Sequence, residues 1–401
     1  MVSTRTLQDE LRNNQLDREL LAEEFNFSYS KTIYLNTGSC GRKPKSVQIA
    51  QQEAYKELNN NPTLQTFLDE SLHNKTKAAV ADLFQIRPEN LILTNNTTYG
   101  LQTIMQSFLL KQGDELVTTD HEHGSLKTIY RYLQESRGIG VNLHKYNPKH
   151  GSKPLCNGIL NLVTKKTKLV IVSEIDCFSG FRPDLTQLIN ELAKLNVPLL
   201  VDGAHSPGHG ICRPANYPMW VGSGHKWLGA PNGTGFVYVS NQYIDRLKPV
   251  CVGDHFYDFE PTNLQRYELL GTSDTTRLPG LIAAIRLYQE LGANALLAAQ
   301  VELVDYLRYL LNTLPNAEIH TPHHQTSEGN VQATGLVTVS FPPANVQVPD
   351  LREYLWNTEG IWIQPDFCYG DPGKGLRISC HAANTKEELN SLAEAIARVV
   401  K

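Results

Sequence analysis

Val201-Asp202-Gly203-Ala204-His205 reads as an apolar strand that ends in a carboxylate, two small residues and an imidazole. Gly222-Ser223-Gly224-His225-Lys226-Trp227 follows, with Lys226 again directly behind an apolar run. Outward from these two stretches, runs at 91–94, 115–118, 168–173, 198–201, 219–222 and 235–239 read as buried strands. Helical patterns at 98–110, 125–134 and 184–195 separate them. Short apolar runs alternating with helices predict an α/β domain around a mostly parallel sheet. Such sheets bind ligands on the loops that leave the carboxyl ends of their strands, which is where 202–205 and 223–226 fall. Past about residue 280 the rhythm changes to a long helical stretch at 281–314, a polar loop, strands at 335–340 and 376–379, and a helix at 386–399. That predicts a smaller α+β C-terminal domain. Leu7, Leu11, Leu20 and Leu21 suggest an amphipathic N-terminal helix. The expected division is 1–30, a helical segment packing with the small domain; 31–280, the large domain; and 281–401, the small domain.

Composition narrows the function classes. The 401 residues are 41% hydrophobic and 19% charged, ordinary for a globular chain, with a net charge of −4. No cluster of Lys and Arg marks a nucleic-acid surface, and no apolar run reaches the ~20 residues that span a bilayer. The first residues have no apolar core of a signal peptide. Seven scattered cysteines without a C-x-x-C pair fit a reducing cytoplasm, and argue against a disulfide framework or a zinc site.

A carboxylate at a strand end and a lysine behind the neighbouring strand suit pyridoxal 5′-phosphate (PLP) chemistry. Such an enzyme needs a carboxylate to keep the pyridine nitrogen protonated, so that the ring can accept electrons from a substrate carbanion. Asp202 is placed for that, although a strand-end Asp also caps turns. A partly desolvated lysine forms a Schiff base and later serves as a base; Lys226 is the candidate, against a simply solvated side chain. Ser223 and His225 would donate to a phosphate, and the glycines of 229–235 allow close backbone approach. Thr97 and Thr98, between a strand and a helix, could cradle the same phosphate or merely cap the helix. His121 and His123 could be read as a metal pair, but zinc needs three or four ligands. His320, His323 and His324 lie in a polar loop and read as solvated.

In this order the pieces resemble the class V aminotransferase-like PLP enzymes, the cysteine desulfurase and isopenicillin-N-epimerase-like group. The resemblance runs from Tyr34-Leu35-Asn36-Thr37-Gly38 to Arg377-Ile378-Ser379 and Asn384-Thr385-Lys386-Glu387-Glu388. Within the group the chain is most similar to the cyanobacterial L-cysteine/cystine C–S lyases. The resemblance implies PLP fold type I, with a mostly parallel seven-stranded sheet in the large domain. It implies that Lys226 is the Schiff-base and catalytic lysine, that Asp202 pairs with the pyridine nitrogen, and that His123 stacks on the ring. Thr97, Thr98, Ser223 and His225 would hold the phosphate, and His205 would donate toward the phenolic oxygen. Thr272, in Gly271-Thr272-Ser273-Asp274, would reach the phosphate of a second subunit, implying a homodimer; the competing role is a core or capping threonine. Arg377 would bind the substrate α-carboxylate rather than make a solvent salt bridge, with Gly38 and Gln364 beside the substrate.

Three departures from the desulfurases redirect the expected chemistry. Gln364 stands at their Arg position, and Cys368 is out of register by about one residue in a shorter loop. His205 replaces their glutamine, and Cys177 or its neighbour stands where they have an Asn near the phenolic oxygen. Without a thiolate to attack the substrate sulfur, the remaining path is β-elimination on cystine or cysteine. It yields pyruvate, ammonia and cysteine persulfide or sulfide, and the sulfur could pass to an iron–sulfur acceptor protein. The alternatives are a desulfurase using Cys368, an epimerase-like enzyme, and a non-catalytic PLP-binding protein.

Overall fold

The computed structural model describes residues 16–400 except 28–29, 65–70, 269–270, 324, 327–328, 331–333, 343–347 and 366–374. The large sheet has seven strands: β1 (Leu91–Thr94), β2 (Glu115–Thr119), β3 (Gly140–His144), β4 (Thr167–Ser173), β5 (Leu199–Gly203), β6 (Met219–Ser223) and β7 (Gly235–Val239). Their order is β1-β7-β6-β5-β4-β2-β3, parallel except for β7, which runs antiparallel to both neighbours. Side chains alternate along the strands. Val170, Val172, Val201 and Trp220 enter one apolar layer, and Leu169, Ile171, Leu200 and Val221 enter the other. Helices cover both faces, so the strands carry the continuous apolar runs of a doubly buried sheet.

Strand β3 was not anticipated from the apolar pattern. It is an edge strand, mostly half-exposed, with Asn142 and His144 in a five-residue run, so it lacks the signature of its buried neighbours. The expected helix over 281–314 is two helices, Arg277–Leu291 and Ala293–Leu311. Gly292 separates them in the left-handed region, at φ 81°. The helix at 386–399 falls as expected, and a capping box between Thr385 and Glu388 opens it.

A second, antiparallel sheet has the order β10-β11-β9-β8, where β8 is Glu318–Ile319, β9 Leu336–Ser340, β10 Gln364–Pro365 and β11 Gly375–Ser379. Val337, Val339, Leu376 and Ile378 pack there against Leu303, Leu307, Leu392 and Ile396 of the flanking helices. Ile33–Tyr34 pairs in parallel with Ile361–Trp362, and Asn36 bridges to Ser379. The segment that continues to Gly38 is thereby held against the second sheet. At the N-terminus a helix spans Arg18–Glu24, with Leu21 buried in the core that holds Val47 and Leu281, and Arg18 3.4 Å from Glu302. Leu7 and Leu11 lie outside the described residues. His320 is half-buried, its Nε2 2.7 Å from Ser340 Oγ, so it is not the solvated ring expected; His323 is exposed, and His324 lies outside the described residues. No described helix is long and apolar enough to cross a membrane.

Candidate active site

Where β1, β2, β5 and β6 end, their loops converge on a cavity of about 330 Å³. Its wall includes Thr97, Thr98, His123, Asp202, His205, Ser223, His225, Lys226, Gly38, Gln364 and Arg377. Of the expected site residues only Thr272 is absent from this wall; it is exposed on the loop before helix Arg277–Leu291.

Asp202 is the penultimate residue of β5 and is buried. Burial raises its carboxyl above the ordinary range, while the Ala204 N–H, 2.9 Å away, and the charge of Lys226 pull it back. A buried carboxyl in that state ionises readily only against a cation. Lys226 leaves the turn after β6 with its Nζ opening on the cavity. Burial and then the positive charge of Arg377 lower its amine to about 8, against the opposing pull of Asp202. About a tenth of it is therefore the nucleophilic free base at pH 7, roughly a few hundred times the share of an unshifted lysine. His205 Nε2 lies 3.1 Å from Lys226 Nζ, and burial holds the imidazole neutral. Gly41 must be glycine here: a Cβ would sit 2.0 Å from the Lys226 carbonyl oxygen.

The other end of the cavity has the donors that a phosphate needs. Asn96 caps helix Thr97–Ser107 by accepting from the Tyr99 N–H, at 2.9 Å. The capping role weighed for the threonines is thus taken by their neighbour. Thr97 Oγ1 and His225 Nδ1 are buried without a hydrogen-bond partner among the described residues. A buried polar atom left so costs about 1–3 kcal/mol, and phosphate oxygens beside this helix start would satisfy both. With Lys226 for the aldehyde and Asp202 for the ring nitrogen, the donor set fits PLP.

Arg377 lies in the middle of β11, buried, with Gln364 opposite it on β10. Its Nη1 donates to the Cys177 carbonyl at 2.9 Å and its Nη2 to Ser39 Oγ at 2.8 Å. Ser39 Oγ in turn donates to Gln364 Oε1 at 2.9 Å. Burial lowers the guanidinium to about 10, still a cation at neutral pH. With Nη2 also 3.4 Å from Asn36 Oδ1, the cation is braced on three partners at the cavity wall, which suits it to receive a carboxylate. Ser39 was missed at the sequence level, and Asn36 entered there only as part of the resemblance.

His123 caps helix Gly124–Arg137, and its Nδ1 accepts the Ser125 N–H at 3.1 Å. Burial, then the charges of Lys226 and Arg377, lower its ring to about 4. One side of the ring opens on the cavity, where it can lie against a flat cofactor. His121 does not join it: its Nδ1 is 2.5 Å from Asp176 Oδ2, in a buried cluster with Tyr146. No group that could hold a metal occurs among the described residues. Cys177 is buried with its thiol pushed up by desolvation, and Cys368 lies outside the described residues.

The sequence pattern of the aminotransferase class-V family matches residues 33–392. Isopenicillin N epimerase of Streptomyces clavuligerus is 27% identical over 91% of this chain and 94% of its own length. A probable cysteine desulfurase of Borreliella burgdorferi is 26% identical over 96% and 95%. Among solved structures, the complex of the cystine C–S lyase C-DES with its product cysteine persulfide superimposes with a TM-score of 0.82 at 23% identity, covering 93% of this chain and 99% of that one. The chain belongs to the aminotransferase class-V family, and it is an enzyme whose cofactor is pyridoxal 5′-phosphate.

Proposed function

We propose that this enzyme is a carbon–sulfur lyase acting on L-cystine, and less well on L-cysteine, by β-elimination. The observation that carries this reading is that no cysteine side chain lines the cavity among the described residues. Cys177 is buried behind the wall, and Cys40 turns its sulfur to Asn232 Oδ1 at 3.2 Å. Bound PLP supplies a carbonyl for the substrate amine and a ring that accepts the electron pair left on Cα. Arg377 binds the α-carboxylate, Asp202 holds the ring nitrogen protonated, and Lys226 takes the Cα proton. The Cβ–S bond then breaks and the sulfur keeps its electron pair. With cystine the leaving group is cysteine persulfide, a weaker base than a plain thiolate. Water converts the remaining enamine to pyruvate and ammonia, so cystine and water give cysteine persulfide, pyruvate and ammonia.

The test is a product assay with cystine, cysteine and cysteine sulfinate. Pyruvate and ammonia should form in equal amounts, fastest from cystine, and Cys177→Ser and Cys368→Ser should each keep most of the activity. Alanine from the wild type, lost in Cys368→Ser, would make the enzyme a desulfurase. The match to isopenicillin N epimerase favours a second reading, proton return to the opposite face of Cα; racemised substrate without pyruvate would establish it.

The same reading includes a homodimer. Val250, Val252 and Tyr257, ahead of Thr272, and Ile49 and Tyr55 on helix Lys45–Asn60 are large apolar side chains left exposed, as at an association surface. Thr272 would then reach the phosphate in the partner's cavity. Thr272→Val should weaken PLP binding, and cofactor affinity should fall as the protein is diluted into monomers. A fully active monomer in ultracentrifugation would remove Thr272 from the site. Persulfide sulfur would pass to an acceptor protein for iron–sulfur assembly in the cytoplasm.

A further inference from the structure

Trp227 follows the anchoring lysine and is buried, but it does not line the cavity. Its indole Nε1–H donates to His205 Nδ1 at 3.2 Å. An indole N–H is a donor only, so His205 Nδ1 must be the acceptor. In a neutral imidazole the proton then sits on the other nitrogen. That nitrogen, Nε2, is the one 3.1 Å from Lys226 Nζ.

The indole is not free to turn away. The His209 ring packs on it with centroids 4.3 Å apart, and His209 Nε2 accepts the Gly335 N–H at 2.6 Å. A Cβ on Gly335 would lie 2.8 Å from the indole ring. Leu336, at the start of β9, joins Ile175 and Trp227 in a small buried cluster. Trp227 is therefore clamped between the loop after β5 and the second sheet. The charged or titratable groups that face His205 are Lys226, Arg377, His209 and His123. The positive charges of Lys226 and Arg377 disfavour an imidazolium, and Lys226, a donor when protonated and an acceptor when free, does not fix which neutral tautomer forms. The indole does.

We propose that Trp227 is a positioning residue for catalysis: it locks His205 in the Nε2–H tautomer, so that His205 acts on the Lys226 nitrogen only as a hydrogen-bond donor. A nitrogen that faces a fixed donor is favoured in its unprotonated, lone-pair form. The lock therefore lowers the pKa of the Lys226 nitrogen, free or joined to the cofactor. The inference rests on Lys226 as the cofactor anchor and not on which substrate is cleaved; loss of the visible band in Lys226→Ala tests that anchor separately.

The experiment is a spectrophotometric pH titration of the cofactor's visible band in the holoenzyme. Trp227→Phe keeps an aromatic ring in the clamp and removes the N–H. His205 can then take its other tautomer and accept from a protonated Lys226 nitrogen. The midpoint should move up by about one unit, the size of one hydrogen bond's net contribution. In a His205→Phe background no imidazole is left to orient, so adding Trp227→Phe should leave the midpoint where His205→Phe put it. An unmoved midpoint in the single variant, or the same shift in both backgrounds, would overturn the proposal in favour of plain packing. Nitrogen NMR of histidine-labelled holoenzyme reads the tautomer directly. A mixture in Trp227→Phe, where the wild type has Nε2–H alone, supports the lock, and an unchanged Nε2–H population refutes it.

Discussion

Lys226→Ala should bleach the protein and stop it together. In the proposed assignment the free amine of Lys226 joins the cofactor, and in the proposed reaction it is also the base at Cα. Removing a positioned proton-transfer group alone costs about 10²–10⁴-fold in rate, and here the covalent anchor goes with it. The variant should keep its fold, because the side chain opens on the cavity and, among the described residues, its one side-chain hydrogen bond is to His205. Absorbance after dialysis and a pyruvate assay read the two losses. Wild-type turnover in Lys226→Ala would remove the central assignment. The amine has a pH signature as well. Its pKa is lowered to about 8, so the neutral, nucleophilic fraction grows as pH rises toward that value and levels off above it. PLP capture by cofactor-stripped protein should accelerate from pH 6 through 8, where half of the amine is free, and level off by about pH 9.

Arg377→Lys comes next in size. The substitution keeps one positive charge and loses the planar fork. The guanidinium now spans the Cys177 carbonyl and Ser39 Oγ at once, and a single ammonium cannot hold both while facing a carboxylate. A substrate tethered less firmly places its Cα proton out of line with Lys226. A misplacement of that kind costs about 10²-fold. We expect kcat/KM for amino-acid substrates to fall by about that factor, with PLP affinity unchanged because Arg377 is not at the phosphate end. Kinetics on cystine beside a cofactor titration would check it, and an unchanged kcat/KM would put the carboxylate elsewhere.

The parts of the site that were legible in the sequence sit at the ends of buried parallel strands. Asp202 and Lys226 each terminate an apolar run, and the physics of such sheets directs ligands to that edge. Thr97 was legible because the β1-to-helix junction is short, but its freedom from capping was not. That depends on Asn96 adopting an extended backbone and turning its side chain to the Tyr99 N–H. Strand β3 was hidden because one half-exposed edge removes the apolar signal. The Gly292 break was hidden because a lone glycine inside a helical pattern does not by itself announce a turn. Ser39, Trp227 and the buried His121–Asp176 pair were illegible for a different reason. Each does its work through a partner far away in the chain, and no local pattern carries that information.

One such partnership bears on how the protein is made. Ser39 meets Arg377 across 338 positions of the chain, and Asn36 bridges to Ser379. By contrast, Thr97, His123, Asp202 and Lys226 all lie within the first 226 residues, just past or at the ends of strands of one sheet, which β7 completes by pairing with β1 and β6. During synthesis from the N-terminus the residues proposed to grip the cofactor leave the ribosome well before Arg377 does. Asn36 and Ser39 have to wait for β11 before the proposed carboxylate receptor is complete. On the proposed assignment, a nascent chain that has reached β7 carries its cofactor-binding residues while it still lacks the arginine that would select an amino acid.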